Sequence, residues 1–196
     1  MSKYIIIIHG GNSFKNYGEY TEYLKNSIPS YRNNYSDWKA NLIETISPEF
    51  TLLQPKMPNS DNVQYSEWEI VIDKILGFLP DNRELILVGH SLGANFWSLY
   101  LKRKQIKHKI LQLHLVAGCL SEGDFKINED WELINSQSSN KQVYIWHSTD
   151  DGVVDYSQAL IYSNKLTNSH LQTFGDRGHF NGPHFNELVN VINKLA

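Results

Sequence analysis

A serine bracketed by two glycines, Gly89-His90-Ser91-Leu92-Gly93, stands where the apolar run Leu85–Gly89 gives way to a helix-period pattern. The chemistry on offer is nucleophilic. A Gly-x-Ser-x-Gly elbow presents a hydroxyl on a strained bend around which only small neighbours fit. A serine hydroxyl attacks poorly until a base takes its proton. The chain must therefore supply a histidine, an acid to orient it, and donors for an oxyanion.

In the elbow scheme the acid and then the histidine follow the serine, each after a later strand. Past the apolar run Val143–His147 comes Ser148-Thr149-Asp150-Asp151-Gly152-Val153-Val154-Asp155, where three aspartates compete. Asp155, three residues before Gln158, suits a helix N-cap. Asp150 and Asp151 share the turn; position slightly favours Asp151, next to Gly152, but periodicity does not separate neighbours. After the run His170–Phe174 lies Gly175-Asp176-Arg177-Gly178-His179-Phe180, and His179 falls where the scheme needs a base. His184, behind Pro183 in the first turn of the final helix pattern, is less free to reach the site. His90 reads as a packing residue. For the oxyanion, two backbone N–H groups are needed: Leu92 supplies one, and Gly11 or Asn12, in the loop His9-Gly10-Gly11-Asn12-Ser13, the other.

These loops need elements to hold them. Short apolar runs at Tyr4–His9, Phe50–Leu53, Leu85–Gly89, Ile110–Ala117, Val143–His147 and His170–Phe174 suit strands covered on both faces, as in a parallel sheet. Helix-period segments lie between them. Trp68, Ile72, Ile75, Leu76 and Leu79 share one face behind a capping-box pattern, Ser66 with Glu69. Leu92, Phe96, Leu99 and Tyr100 follow the elbow. Phe185, Leu188, Val189 and Ile192 form the last helix, with Pro183 near its first position. Such alternation predicts an α/β fold: a mostly parallel sheet of about six strands, flanked by helices on both faces, in one domain over residues 1–196. The working site of such a sheet lies at the carboxyl ends of its strands.

Two stretches stand apart. Asn12–Pro48 is long for one connection and holds tyrosines at 17, 20, 23, 31 and 35. It is expected to form two helices, near Glu19–Ile28 and Asp37–Ile46, the second aligning Trp38, Leu42, Ile43 and Ile46. Gly118–Lys141 reads as a polar loop with a short helix near Asp130–Asn135, too short for a large lid.

The bulk composition excludes several function classes. At 196 residues, 41% hydrophobic and 20% charged, the chain is an ordinary globular one. A net charge of −3 gives no reason to expect nucleic acid, and Lys102-Arg103-Lys104 reads as a solvated helix end. No apolar stretch approaches the roughly 20 residues of a membrane span. A lone cysteine, Cys119, excludes an internal disulfide and fits a reducing compartment, so a cytoplasmic location is the expectation.

The stretches IIIIHGGNS, LLQPKMPNSDNVQYSEW, LVGHSLGA, HSTDDGVVD and FGDRGHF together resemble the α/β-hydrolases. More narrowly, they resemble the small single-domain serine hydrolases of the retinoblastoma-binding protein 9 type and their bacterial relatives. The resemblance spans residues 5 to 180, and the Pro-Lys-Met-Pro-Asn stretch is its most family-specific part. It implies Ser91 as nucleophile, Asp151 as orienting acid and His179 as base. Many hydrolases carry Asp-x-x-Val-Pro in the acid loop, where this chain has Asp155 in place of the proline; the long Asn12–Pro48 segment is a second departure.

The resulting expectation is a serine hydrolase acting on a small-molecule carboxylic ester, with thioester or amide as alternatives, and needing no metal or organic cofactor. From a different class comes a hydrolase-fold module that binds a protein partner with little or no catalysis. Metal-dependent hydrolysis through His147, Asp150, Asp151, His179 and His184 lacks a recognised ligand spacing.

Overall fold

The computed structural model describes residues 3–27, 37–120, 123–127, 131–138 and 142–196. Tyr31 and Tyr35 lie outside them. Six strands form one parallel sheet: β1 Lys3–Ile8, β2 Phe50–Leu53, β3 Glu84–His90, β4 Lys109–Val116, β5 Gln142–Ser148 and β6 Ser169–Phe174. Their order is β2-β1-β3-β4-β5-β6, every pairing parallel. The expected α/β architecture is the observed one.

Strand periodicity sends alternate side chains to opposite faces, and here both faces are covered. Ile6, Ile8, Leu85, Leu87, Leu113, Leu115 and Ile145 point to one core. Over it lie α3 (Tyr65–Phe78), α4 (Leu92–Arg103), α5 (Glu132–Ser138) and α6 (Ser157–Lys165), contributing Trp68, Ile72, Phe96, Ile134 and Tyr162. Ile5, Ile7, Ile86, Val88 and Trp146 face the other core, closed by Trp38 and Leu42 of α2 (Trp38–Thr45) and by Leu188, Val189 and Ile192 of α7 (Asn186–Asn193). Burial on both sides explains why these strands read as continuous apolar runs. Helix α4 is buried from Leu92 to Leu101 on every side, so its apolar periodicity is only part of its packing.

Several local expectations are corrected. Helix α3 begins at Tyr65 with Gln64 as its cap residue and no side-chain cap bond. Ser66 is therefore inside the helix, and Glu69 accepts instead from Tyr65 Oη at 3.1 Å. On α2, Ile43 is 66% exposed, because the helix meets the sheet along Trp38 and Leu42, with Ile46 at its end packed on the same core. Helix α7 starts at Asn186 behind Phe185, so Pro183 and His184 precede it. The remaining helix, α1 (Tyr17–Asn26), is capped by Asn16, which accepts from Glu19 N, and buries none of its residues.

The order β2-β1-β3 places a switch point between β1 and β3. There the chain leaves β1 toward one face and β3 toward the other, opening a crevice at their carboxyl ends. The His9–Ser13 loop and the elbow meet at that crevice.

Candidate active site

At the end of β3, Ser91 adopts φ 55° and ψ −122°, a region L-residues with side chains seldom occupy and which costs about 1–3 kcal/mol. Its neighbours explain how the bend persists. A Cβ on Gly93 would overlap Ile8 O and stand 2.8 Å from His9 O, and one on Gly89 would run into the Gly93–Ala94 backbone. Strand β3 and helix α4 thus cross at a distance only glycine allows. The bend is pinned by Ser91 N donating to Val116 O at 2.8 Å. The loop after β1 passes directly beside the hydroxyl: a Cβ on Gly10 would lie 3.4 Å from Ser91 Oγ.

The loops after β5 and β6 separate the competing aspartates. Asp151, its side chain fully buried, presents Oδ2 to His179 Nδ1 at 2.9 Å. Its Oδ1 accepts from Val153 N and Val154 N at 2.8 and 3.0 Å. Asp150 turns the other way and accepts from Ser148 Oγ at 2.5 Å and from Gly178 N at 2.9 Å. Those two hydrogen bonds hold its carboxyl below the usual carboxylate range. Asp150 therefore ties the loop after β5 to the loop after β6, while Asp151 meets the imidazole. Asp155 accepts from Ser157 N at 2.8 Å, but Tyr156 takes the cap position of α6, and Gln158 does not reach back; it accepts from Leu120 N at 3.1 Å.

An ionised carboxylate only accepts, so the bond to Asp151 puts the His179 proton on Nδ1 and leaves Nε2 with a lone pair. Ser91 and His179 line one cleft of about 670 Å³. Among the described residues Ser91 Oγ makes no side-chain hydrogen bond, an arrangement common before substrate is bound. His184 is exposed and does not line that cleft. His147 is buried and donates to Val154 O at 3.0 Å, with Asp151 Oδ2 at 3.8 Å.

Gly11, Asn12 and Leu92 also line the cleft. Asn12 is corrected as an oxyanion donor: its N–H is committed to Ser60 O at 2.9 Å. Gly11 N–H has no such acceptor among the described residues. Leu92 N–H opens helix α4, where no carbonyl lies four residues back to take it. His9 bears on the same loop. Its Nε2 accepts from Met57 N at 3.1 Å, so Nδ1 carries the proton and donates to Gly10 O at 2.6 Å. A trans peptide points its oxygen and hydrogen in opposite directions, so this bond also orients Gly11 N–H.

In the sequence His90 reads as a packing residue, and Lys39 carries no motif. His90 is buried, with Nδ1 3.1 Å from Lys39 Nζ and Nε2 2.8 Å from His179 O. Burial first, and the Lys39 charge next, push its imidazole well below the usual histidine range. Lys39, 51 positions earlier in the chain, leaves no local signal that could have revealed the pair. Cys119 and Asn95 line the cleft too, and Asn95 Oδ1 accepts from Cys119 N at 2.7 Å.

A family model described as "Serine hydrolase" matches residues 28–189. The rat serine hydrolase RBBP9 is 26% identical over 167 residues, covering 81% of this chain and 84% of that protein. In structure, the ydeN gene product of B. subtilis matches with a TM-score of 0.70 at 17% identity, over 99% of this chain and 98% of that one. Mouse α/β hydrolase domain-containing protein 10 matches with a TM-score of 0.57 at 14% identity, over 98% of this chain and 88% of that one. The shared fold is that of the α/β-hydrolases.

Proposed function

The chain belongs to the serine hydrolase family, and from that premise we propose that it cleaves small carboxylic esters through Ser91, His179 and Asp151. The observation that carries this reading is the pairing of two features in one cleft: a serine on a positive-φ elbow, and a histidine whose Nδ1 is held by Asp151, leaving Nε2 to accept a proton.

In the proposed mechanism Ser91 Oγ attacks the ester carbonyl carbon while His179 Nε2 takes its proton. The carbonyl oxygen becomes an oxyanion, held by Leu92 N–H and Gly11 N–H. Collapse breaks the bond to the alkoxide, which leaves with the proton from His179, and Ser91 remains acylated. Water then attacks the acyl carbon, gives one proton to His179, and the second collapse returns it to Ser91. Asp151 stays ionised throughout, fixing the tautomer and stabilising the imidazolium.

The cleft wall supports a short acyl chain and a polar substrate. Asp37, Lys39, Lys56, Ser60, Asp61 and Asn181 contribute to it, and a long alkyl chain would strip water from such groups without replacing their hydrogen bonds. The test is the rate on p-nitrophenyl acetate, butyrate and decanoate. We expect acetate or butyrate to be preferred and Ser91→Ala to abolish turnover; a decanoate preference would overturn the substrate class, and turnover persisting in Ser91→Ala would overturn the nucleophile.

A further inference from the structure

The loop that carries His179 is held from outside by the first turn of α2. Trp38 N donates to Gly182 O at 2.9 Å and Trp38 Nε1 to Phe180 O at 2.9 Å. Asn41 Nδ2 donates to Pro183 O at 2.9 Å. The carbonyl of His179 itself is taken by His90 Nε2 at 2.8 Å. Carbonyls 179, 180, 182 and 183 are thus held by this turn and by the histidine it touches. The loop needs such holding, because Phe180, next to the base, has φ 52°, a conformation that a bulky residue keeps only when its surroundings impose it.

Lys39 determines what His90 can do. An ammonium group has donors and no acceptor, so at 3.1 Å it forces His90 Nδ1 to be the accepting nitrogen. The single proton of the neutral ring must then sit on Nε2, where it donates to His179 O. The opposite tautomer would set two acceptors against each other at 2.8 Å. Lys39 is in turn anchored by Asp37 Oδ2 at 2.5 Å, and Asp37 caps α2 by accepting from Lys39 N at 3.0 Å. Burial disfavours a charged His90, which is consistent with a neutral, single-donor ring.

We propose that Lys39 and His90 are positioning residues for His179: Lys39 selects the Nε2–H tautomer of His90, and that proton fixes the backbone of the base against the nucleophile. The proposal rests on the reading of His179 as the base. It gives the Asp37–Asn41 turn a role in catalysis although, in this account, none of its residues touches the reacting atoms.

The test joins spectroscopy to kinetics in the full-length protein. Long-range proton–nitrogen spectra, with His90 assigned by its loss in His90→Gln, should show the wild-type ring protonated on Nε2 and unprotonated on Nδ1. In Lys39→Met, protonation should spread to Nδ1, and kcat on a p-nitrophenyl ester should fall about ten- to a hundredfold with KM unchanged. His90→Leu should lose a similar factor. His90→Gln, whose amide can still donate to the 179 carbonyl, should recover most of it at the same melting temperature. A wild-type ring protonated on Nδ1 would overturn the proposal. So would an unchanged kcat in folded Lys39→Met, or a loss confined to KM, which would make Lys39 a substrate contact. Should the wild type fail to turn over any ester, the nucleophile reading fails separately, and the His90 spectrum still decides whether Lys39 sets its tautomer.

Discussion

His179 Nδ1 stands 2.9 Å from Asp151 Oδ2, while the adjacent carboxylate, Asp150, faces Gly178 N at the same distance. Two aspartates one residue apart thus have different work: one meets the ring, the other fastens the loop that carries it. Asp151→Asn should leave a folded protein with the wrong tautomer available to His179, and kcat lower by about 10³–10⁴. Asp150→Asn should cost less than about tenfold, because its contacts are to the loop. Steady-state kinetics on one ester separates the two. Equal losses would contradict the division of roles.

The elbow makes a prediction about glycine. Alanine at position 93 would drive its Cβ into Ile8 O, a backbone atom that cannot rotate aside. Gly93→Ala should lose more than about 3 kcal/mol of stability in urea melts, or fail to accumulate. At Gly10 the nearest atom to a new Cβ is Ser91 Cβ at 3.0 Å, a contact that a shift of a few tenths of an ångström relieves. Gly10→Ala should fold with near-normal stability and hydrolyse ester more slowly. The order of the two melting temperatures is the check.

Acid stability should be governed by buried histidines. Burial pushes His114 down to about 3 and His90 well below the usual range. Below about pH 6.5 the unfolded chain binds protons at these rings that the folded chain refuses, so stability falls as the pH drops. Each such group contributes up to about 1.4 kcal/mol per pH unit in that window. His114 accepts from Trp146 Nε1 at 3.1 Å and its Nε2 meets Gln112 Oε1 at 3.0 Å, so His114→Gln is the gentlest replacement. Urea melts between pH 6.5 and 5 should show a shallower slope in this variant than in the wild type. An identical slope would remove His114 from the account.

Much of the fold was legible because its signals are local. Strands buried on both faces are written as apolar runs, and Phe50–Leu53 was read to the residue. The elbow was legible for a related reason: the crossing of β3 and α4 dictates Gly89, and the close pass of α4 by the end of β1 dictates Gly93 four residues on. What escaped the sequence is relational. Position only slightly favours Asp151 over Asp150 and the resemblance implies it, but the contact itself, a carboxylate turned toward a histidine 28 positions later, is not written in the spacing. Lys39 and His90 meet through the docking of α2 on the loop after β6, a contact that the local sequence around neither residue reveals. Ser66 and Glu69 matched a capping box, yet Gln64 takes the cap position and leaves Ser66 two residues too deep to serve.

The central claim is that Ser91 is an activated nucleophile, and intact-mass spectrometry after exposure to a fluorophosphonate tests it most directly. One adduct is expected on the wild type and none on Ser91→Ala, with labelling slower by about a thousandfold or more in His179→Ala. An unmodified wild-type protein, or an adduct that survives in Ser91→Ala, would contradict it.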